Sequence, residues 1–356
     1  MNILLYGEYS GIHSNLIRAL NNKSIKVDFI STGDGFKNFH GNINIAKRGD
    51  NFLNKIYTDV NNFGVLNKIA NNQYDIVQFV NPLPGIVTPY FGIEPHFIRK
   101  IIEKSKRSYL YVSGCDFGTK KIFDKHEIFK GVCEGCQKDY GVNKCPQYRL
   151  GAEHWHKKFI SQINGIFSGL EGAYTEQYAN YKNFRGYIPF PIDLTRTPYK
   201  KQAYNKRIKI LHGINRYWTK GSDKILNQLS ALSKNFNNLF EVEIVEKLPF
   251  NEYIEKVYKS NVVIDQMYGD GLGMNALQAM SMGRIVLASH DKNFTFLNNP
   301  AIVIERGENS VLNSLLNLSG LSQQELDELS IKSSEYVRKN HDSINIANIF
   351  IDKWQL

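Results

Sequence analysis

Two cations four residues apart carry the first chemical signal in this chain. Arg216 and Lys220 stand in the run HGINRYWTKGSD (212–223), directly after an apolar stretch at 208–212 that reads as a strand. In a strand-to-helix loop both charges can converge on a bound diphosphate; the plain alternative is two solvated side chains. A second signal lies at 261–289, NVVIDQMYGDGLGMNALQAMSMGRIVLAS. Its β-branched run ends at Asp265, three glycines follow (Gly269, Gly271, Gly273), and helix formers run from Asn275 to Met282 before Gly283 and a strand at 285–288. Glycines let backbone N–H groups approach an anion closely, and a helix start supplies unpaired donors with a partial positive charge. This suits a phosphate or a sugar joined to one, although a plain βαβ turn would use the same glycines.

Further candidates are scattered along the first half. Asp116 closes a strand at 108–112, and in parallel α/β sheets the carboxyl ends of strands face the ligand crevice. His13 falls in the first turn of a helix after the loop Gly7-Glu8-Tyr9-Ser10-Gly11, where a ring nitrogen could reach a ligand. Only Gly7 and Gly11 punctuate that loop, so the G-x-G-x-x-G pattern of dinucleotide folds is missing. The loop-like insert at about 115–147 holds Cys133-x-x-Cys136 and Cys145-Pro146. Two thiolates at this spacing can grip one tetrahedral zinc, with Cys145 as third ligand and Cys115, His126, His154 or His156 as fourth. The competing reading is free thiols. Residues 96–107 form an amphipathic helix with five basic residues and one acidic one, next to the apolar segment 86–93. Together they could sit on an anionic bilayer, or the helix could show a solvated charged face.

The elements that must position these groups form two α/β halves. Strands are expected at 2–6, 26–31, 74–80, 108–112 and 165–169, with helices at 12–20, 96–107, 151–164 and 171–181. A polar, basic stretch at 195–207 separates the halves. The second half repeats the pattern with strands at 208–212, 241–246, 262–265, 285–288 and 301–305. Its helices fall at 223–232, 251–260, 275–282, 310–318 and 322–340. Ser222 is expected to cap the helix that begins at 223, and apolar residues near Leu248 and Pro249 could sandwich a nucleobase. The reading is therefore an N-terminal domain at 1–193, a C-terminal domain at 206–340, and a closing helix at 341–356 that packs back on the first domain.

The 356 residues suffice for two cores, and 42% hydrophobic with 22% charged residues describe a soluble globular protein. No apolar run approaches the ~20 residues of a membrane span, and the start lacks a secretory signal. Four cysteines do not suggest a disulfide framework. A cytoplasmic protein is expected. The net charge of +10 points to acidic partners. No recognition helix or aromatic platform accompanies it, so nucleic acid is not expected.

The two halves, the KG loop at 212–223 and the segment GDGLGMNALQAMSMGRIVLAS (269–289) resemble GT-B-fold glycosyltransferases, most closely the retaining family 4. IPFPID (188–193) is similar to that family's crossover, and GEYSGIH (7–13) to its amino-terminal glycine loop. The resemblance implies two Rossmann-like doubly wound domains facing across a cleft, and a nucleotide-sugar donor with no catalytic cofactor. Arg216 and Lys220 would neutralise the donor diphosphate. Gly271, Leu272, Gly273, Met274 and Asn275 would offer backbone amides to the sugar and phosphate, with Gly11 and His13 lining the donor side. Two family glutamates are replaced here by Asp270, which can accept from sugar hydroxyls, and Gln278, which can bond a ribose diol without a charge. Asp116 stands where many members have a histidine. The resemblance further implies transfer with retention to a glycan or lipid-linked oligosaccharide, in polysaccharide, O-antigen or capsule synthesis at the inner face of the cell membrane. Rival readings are a nucleotide-sugar epimerase on the same fold, a transferase that binds without turnover, and a nucleic-acid-binding protein.

Overall fold

The computed structural model describes residues 1–46, 51–86, 93–123, 126, 129, 131–141, 145, 147, 150–170, 172–204, 206–269, 271–289, 299–305, 307 and 309–354. In chain order the first half runs β1 (Asn2–Tyr6), α1 (Ile12–Asn21), β2 (Lys26–Gly33), β3 (Phe39–His40), β4 (Ile43–Asn44), α2 (Phe52–Asn71), β5 (Ile76–Phe79) and α3 (Ile93–Lys104). It continues through β6 (Arg107–Val112), α4 (Phe117–Phe123), α5 (Val132–Tyr140), α6 (Ala152–Gln162), β7 (Gly165–Ser168), α7 (Ala173–Ala179) and β8 (Phe184–Tyr187). The second half comprises β9 (Ile208–Ile214), α8 (Ser222–Asn235), β10 (Phe240–Glu246), α9 (Phe250–Lys259), β11 (Val262–Ile264), α10 (Met274–Ser281), β12 (Ile285–Ala288), β13 (Ile302–Val303), α11 (Ser310–Ser319), α12 (Gln323–His341) and α13 (Ser343–Trp354).

Each half forms its own sheet. The first has the order β3-β2-β1-β5-β6-β7-β8, with β4 also on β2, and only the β2–β3 pair is antiparallel. The second has the order β10-β9-β11-β12-β13 and is parallel throughout. Their central strands are apolar and buried, as a sheet covered by helices on both faces requires. In the second sheet the chain moves from β9 outward to β10, then returns to the other side of β9 with β11. That reversal opens a crevice at the carboxyl ends of β9 and β11, where α/β sheets bind ligands. The matching reversal in the first sheet lies between β1 and β5.

α13 packs against α1. Phe350 is buried against the Tyr111 and Phe167 rings at 4.9 and 5.7 Å. The carbonyl of Trp354 accepts from Arg107 Nη1 at 3.0 Å.

Three departures from the sequence reading have physical causes. The insert contains helices α4 and α5, both short, the first interrupted by Gly118 and the second by Cys133, Gly135 and Cys136, so neither shows a clear periodic pattern. α2 fell in a stretch without an assigned element. It is apolar on two faces, with Leu66, Ile69 and Ala70 buried and Leu53, Ile56, Tyr57, Val60 and Phe63 exposed, which blurs the amphipathic signal. Ser222 does not cap α8: the cap is Gly221 at φ 71°, and the Ser222 hydroxyl bonds the His212 ring. Of the segment 86–93, residues 87–92 lie outside those described.

Candidate functional site

The β9 and β11 loops become neighbours because their strands pair in register, Ile264 opposite His212. His212 ties them together: Nδ1–H donates to the Ile264 carbonyl at 2.9 Å, and Nε2 meets Ser222 Oγ at 2.9 Å. Burial lowers its pKa to about 4, so the ring is a neutral brace. On this base Lys220 Nζ reaches Asp265 Oδ1 at 2.5 Å, with the Asp265 side chain only 1% exposed. The other oxygen, Oδ2, is buried with no hydrogen-bond partner among the described residues, and a Cβ on Gly273 would stand 3.3 Å from it. Gly273 is the N-cap of α10 and offers no side-chain bond, and the first turn of the helix has no acid. Lys220 and the uncapped start of α10 thus face the same space. A cation beside a row of free N–H groups is an anion seat.

Asn275 and Gln278, on the first two turns of α10, line a cavity that is open to solvent. Gly213, Asn215, Val245, Leu248, Phe250 and Tyr253 complete its C-terminal wall, and Ser10, Phe36, Lys37 and Phe39 of the first half close the other side. Lys37 Nζ donates to Asp34 at 2.7 Å and Ser10 Oγ at 2.8 Å. Phe39 and Phe250 meet across the divide at 5.1 Å. The cavity is therefore built by both sheets. Its apolar wall at Val245, Leu248 and Phe250 is of a kind that takes a flat heterocycle, and Asn275 and Gln278 belong to the helix whose start forms the anion seat.

Arg216, two residues past the end of β9, is exposed. Desolvation opposes its charge, but Tyr140, Cys136, Tyr174 and Asp34 of the first half outweigh it and raise its pKa. The loop that carries Arg216 is held from the same side. Asp139 of α5 accepts from Trp218 N at 3.0 Å, Thr219 N at 2.9 Å and Thr219 Oγ1 at 2.6 Å. Lys138 lies 4.8 Å over the Trp218 ring. Gly135 permits the close fit, since a Cβ there would come within 2.5 Å of the Trp218 backbone.

Other expected site residues are placed differently. Asp116 is buried and caps α4: one oxygen accepts from Thr119 N at 2.7 Å and Thr119 Oγ1 at 2.9 Å, and the other from the Tyr178 hydroxyl. Its carboxylate is consumed in structure. His13 is fully buried, with Nδ1–H donating to the Gly7 carbonyl at 2.8 Å and Nε2 accepting from Gln78 at 3.2 Å. Burial lowers its pKa to about 4. No anion seat opens beside Gly11 either, because Glu8 accepts from Gly11 N at 3.0 Å and Ser14 N at 2.8 Å and fills the start of α1 with its own carboxyl. Leu272 and Met274 are buried, so only their backbones are offered. Asp270 lies outside the described residues.

Cys115, Cys136 and Cys145 are free thiols. Cys133 packs on the cluster of Ile122, Phe123 and Phe129, and Cys115 Sγ points to the Asp116 carbonyl at 3.8 Å. Among the described residues no three His, Cys, Asp or Glu side chains gather as a metal seat, while Cys133, Cys136 and Cys145 all lie near enough to Cys115 to help raise its pKa, after burial and beside Asp116.

Asp265, Asp139 and Lys37 were not anticipated as site residues. Asp265 had a readable signal, a carboxylate ending a buried strand just before a glycine loop. Asp139 and Lys37 had none, since their partners come from the other half of the chain or from a turn.

No family model matches the chain, and no curated protein matches it in sequence. Solved structures do. Sucrose-phosphate synthase from Thermosynechococcus elongatus aligns with TM-score 0.64 at 14% identity, over 100% of this chain and 98% of its own. The catalytic domain of starch synthase IV from Arabidopsis thaliana, bound to ADP and acarbose, aligns at 0.58 and 12%, over 100% and 99%. UDP-GlcNAc 2-epimerase from Neisseria meningitidis, bound to UDP-GlcNAc, aligns at 0.56 and 11%, over 99% of each. The chain therefore has the GT-B fold, two Rossmann-like α/β domains with a cleft between them.

Proposed function

We propose that this protein is a retaining glycosyltransferase that moves a sugar from a nucleoside-diphosphate donor to a glycan or lipid-linked acceptor in surface-polysaccharide synthesis. The observation that carries this reading is Lys220, fixed by buried Asp265 beside the uncapped start of α10, the helix whose Asn275 and Gln278 line a cavity shared by the two domains. The base would lie against Val245, Leu248 and Phe250, the ribose within reach of Gln278, and the diphosphate between Lys220, Arg216 and the α10 amides. Asp270 is the proposed contact for donor-sugar hydroxyls. In the transfer the bond from the anomeric carbon to the diphosphate oxygen breaks, and the acceptor oxygen bonds that carbon from the same face. The acceptor proton passes to the departing phosphate. The protein's part is to stabilise charge that grows on the leaving group, usually the largest catalytic term. Closure of the first domain over the cleft would exclude water. The protein would act in the cytoplasm, at the inner face of the membrane.

Proton NMR of the protein with UDP-, GDP- and ADP-sugars tests the reaction. A transferase releases the nucleoside diphosphate and yields product with the donor's anomeric configuration. Interconversion of the intact nucleotide sugar without an acceptor would instead mean an epimerase.

A further inference from the structure

One helix of the first domain shows solvent a continuous apolar stripe. On α2, Leu53 is 75% exposed, Ile56 47%, Tyr57 71%, Val60 65% and Phe63 50%. The spacing i, i+3, i+4, i+7, i+10 places all five on one face of the helix. This face is not the one that holds α2 on its sheet, which is formed by Leu66, Ile69 and Ala70. Scattered single apolar residues are ordinary on a protein surface, but five large ones in a row mark an interaction site.

The surroundings are basic and amidic. α3 packs alongside α2, joined by the Phe63–Phe97 ring contact at 5.0 Å and by Lys104 Nζ donating to Asn71 Oδ1 at 3.0 Å. It brings Arg99, Lys100 and Lys104, while its acids are Glu103, paired with Arg99, and Glu94, which is buried. Lys68 and Asn67 continue the exposed side of α2 beyond the stripe. An apolar band bordered by lysine and arginine matches the acyl boundary and phosphates of an anionic bilayer. Placement agrees with this. The chain leaves parallel strand β4 at its carboxyl end and enters α2, so the stripe occupies the half of α2 nearest the side of the sheet that faces the cleft.

We propose that α2 is a monotopic membrane-docking helix, lying in the plane of an anionic bilayer with its stripe in the headgroup boundary and the α3 cations on lipid phosphates. The basic face of α3 is then a flank of the contact, not its centre. Docking stands on the stripe and its charged border alone. Its consequence, that a lipid-held acceptor arrives at the cleft mouth, rests on the transferase reading.

Flotation of the full chain with vesicles of phosphatidylglycerol and phosphatidylcholine, against phosphatidylcholine alone, tests the docking. The wild type should float with the anionic vesicles, and L53S/I56S/V60S should lose about tenfold of the bound fraction. K100E/K104E should lose binding to anionic vesicles while keeping its melting temperature. Because the stripe is exposed, the triple variant should keep both its melting temperature and its thermal shift with nucleoside diphosphates. Failure of the wild type to float, or equal flotation by the triple variant, overturns the proposal. So does a concentration-dependent dimer that the triple variant abolishes, which would make the stripe a subunit interface. Flotation needs no nucleotide, so its failure is separate from any failure of the donor site.

Discussion

Lys220 and Asp265 are a functional pair and a structural one at once. Lys220→Ala should weaken nucleoside-diphosphate binding by roughly tenfold or more, the value of a hydrogen bond to a charged group. It should also lower the melting temperature, because it strands a carboxylate that is almost wholly buried. Pairing it with Asp265→Asn should recover stability but not affinity, as calorimetry and thermal melting would show; recovery of affinity would remove Lys220 from the anion seat. A second prediction concerns Glu94, which is buried with Oε1 accepting from Ile86 N at 2.9 Å. Burial raises its pKa from 4.5 to about 8. Between those values the unfolded chain is ionised and the native carboxyl is not, so this group removes stability as pH rises through the window. The slope is up to about 1.4 kcal/mol per pH unit. Glu94→Gln should flatten stability between pH 5 and 8 by comparison with the wild type. Asp116 shows where residue-level reading stops. A carboxylate just past a strand's end has the same sequence signature whether it meets substrate or caps the next helix, and here Thr119 and Tyr178 take it.

At the scale of elements, the contact of α5 with the Arg216 loop joins the two domains at the site, as the Phe39–Phe250 contact does on the cavity side. Asp139→Ala should loosen that loop and reduce nucleoside-diphosphate affinity several-fold without removing any group from the cavity, by loss of the bonds to Trp218 and Thr219. Tryptophan emission should shift to the red as Trp218 becomes wetter, and an unchanged spectrum with unchanged affinity would deny the coupling. The elements of the second half were legible because each strand is a short β-branched run and each helix has one apolar face. α10 in particular is framed by Gly273 and Gly283, the latter at φ 77°. α5 was illegible because its partners are more than seventy residues away and its own nine residues are mostly polar.

For the whole molecule, the last helix secures the first domain. Phe350 sits among Tyr111, Phe167 and Trp354 with no exposed surface. Phe350→Ala should cost about 3–5 kcal/mol and lower the melting temperature of the chain; a variant that melts like the wild type would show that α13 is not part of the core. Two α/β halves were legible in the repeats of strand, loop and helix, and a cleft between them in the resemblance of 212–223 and 269–289, whereas the first-domain wall of the cavity was not, since residues such as Lys37 and Gln278 lie more than 200 positions apart. The central claim is that this shared cavity holds a nucleoside diphosphate. Thermal melting against UDP, GDP, ADP and CDP, with their sugar conjugates, tests it most directly. A ligand that binds only the native state raises stability with the logarithm of its saturation. One nucleotide class should raise the melting temperature of the wild type and fail to do so for Lys220→Ala; no shift with any of them would contradict the account.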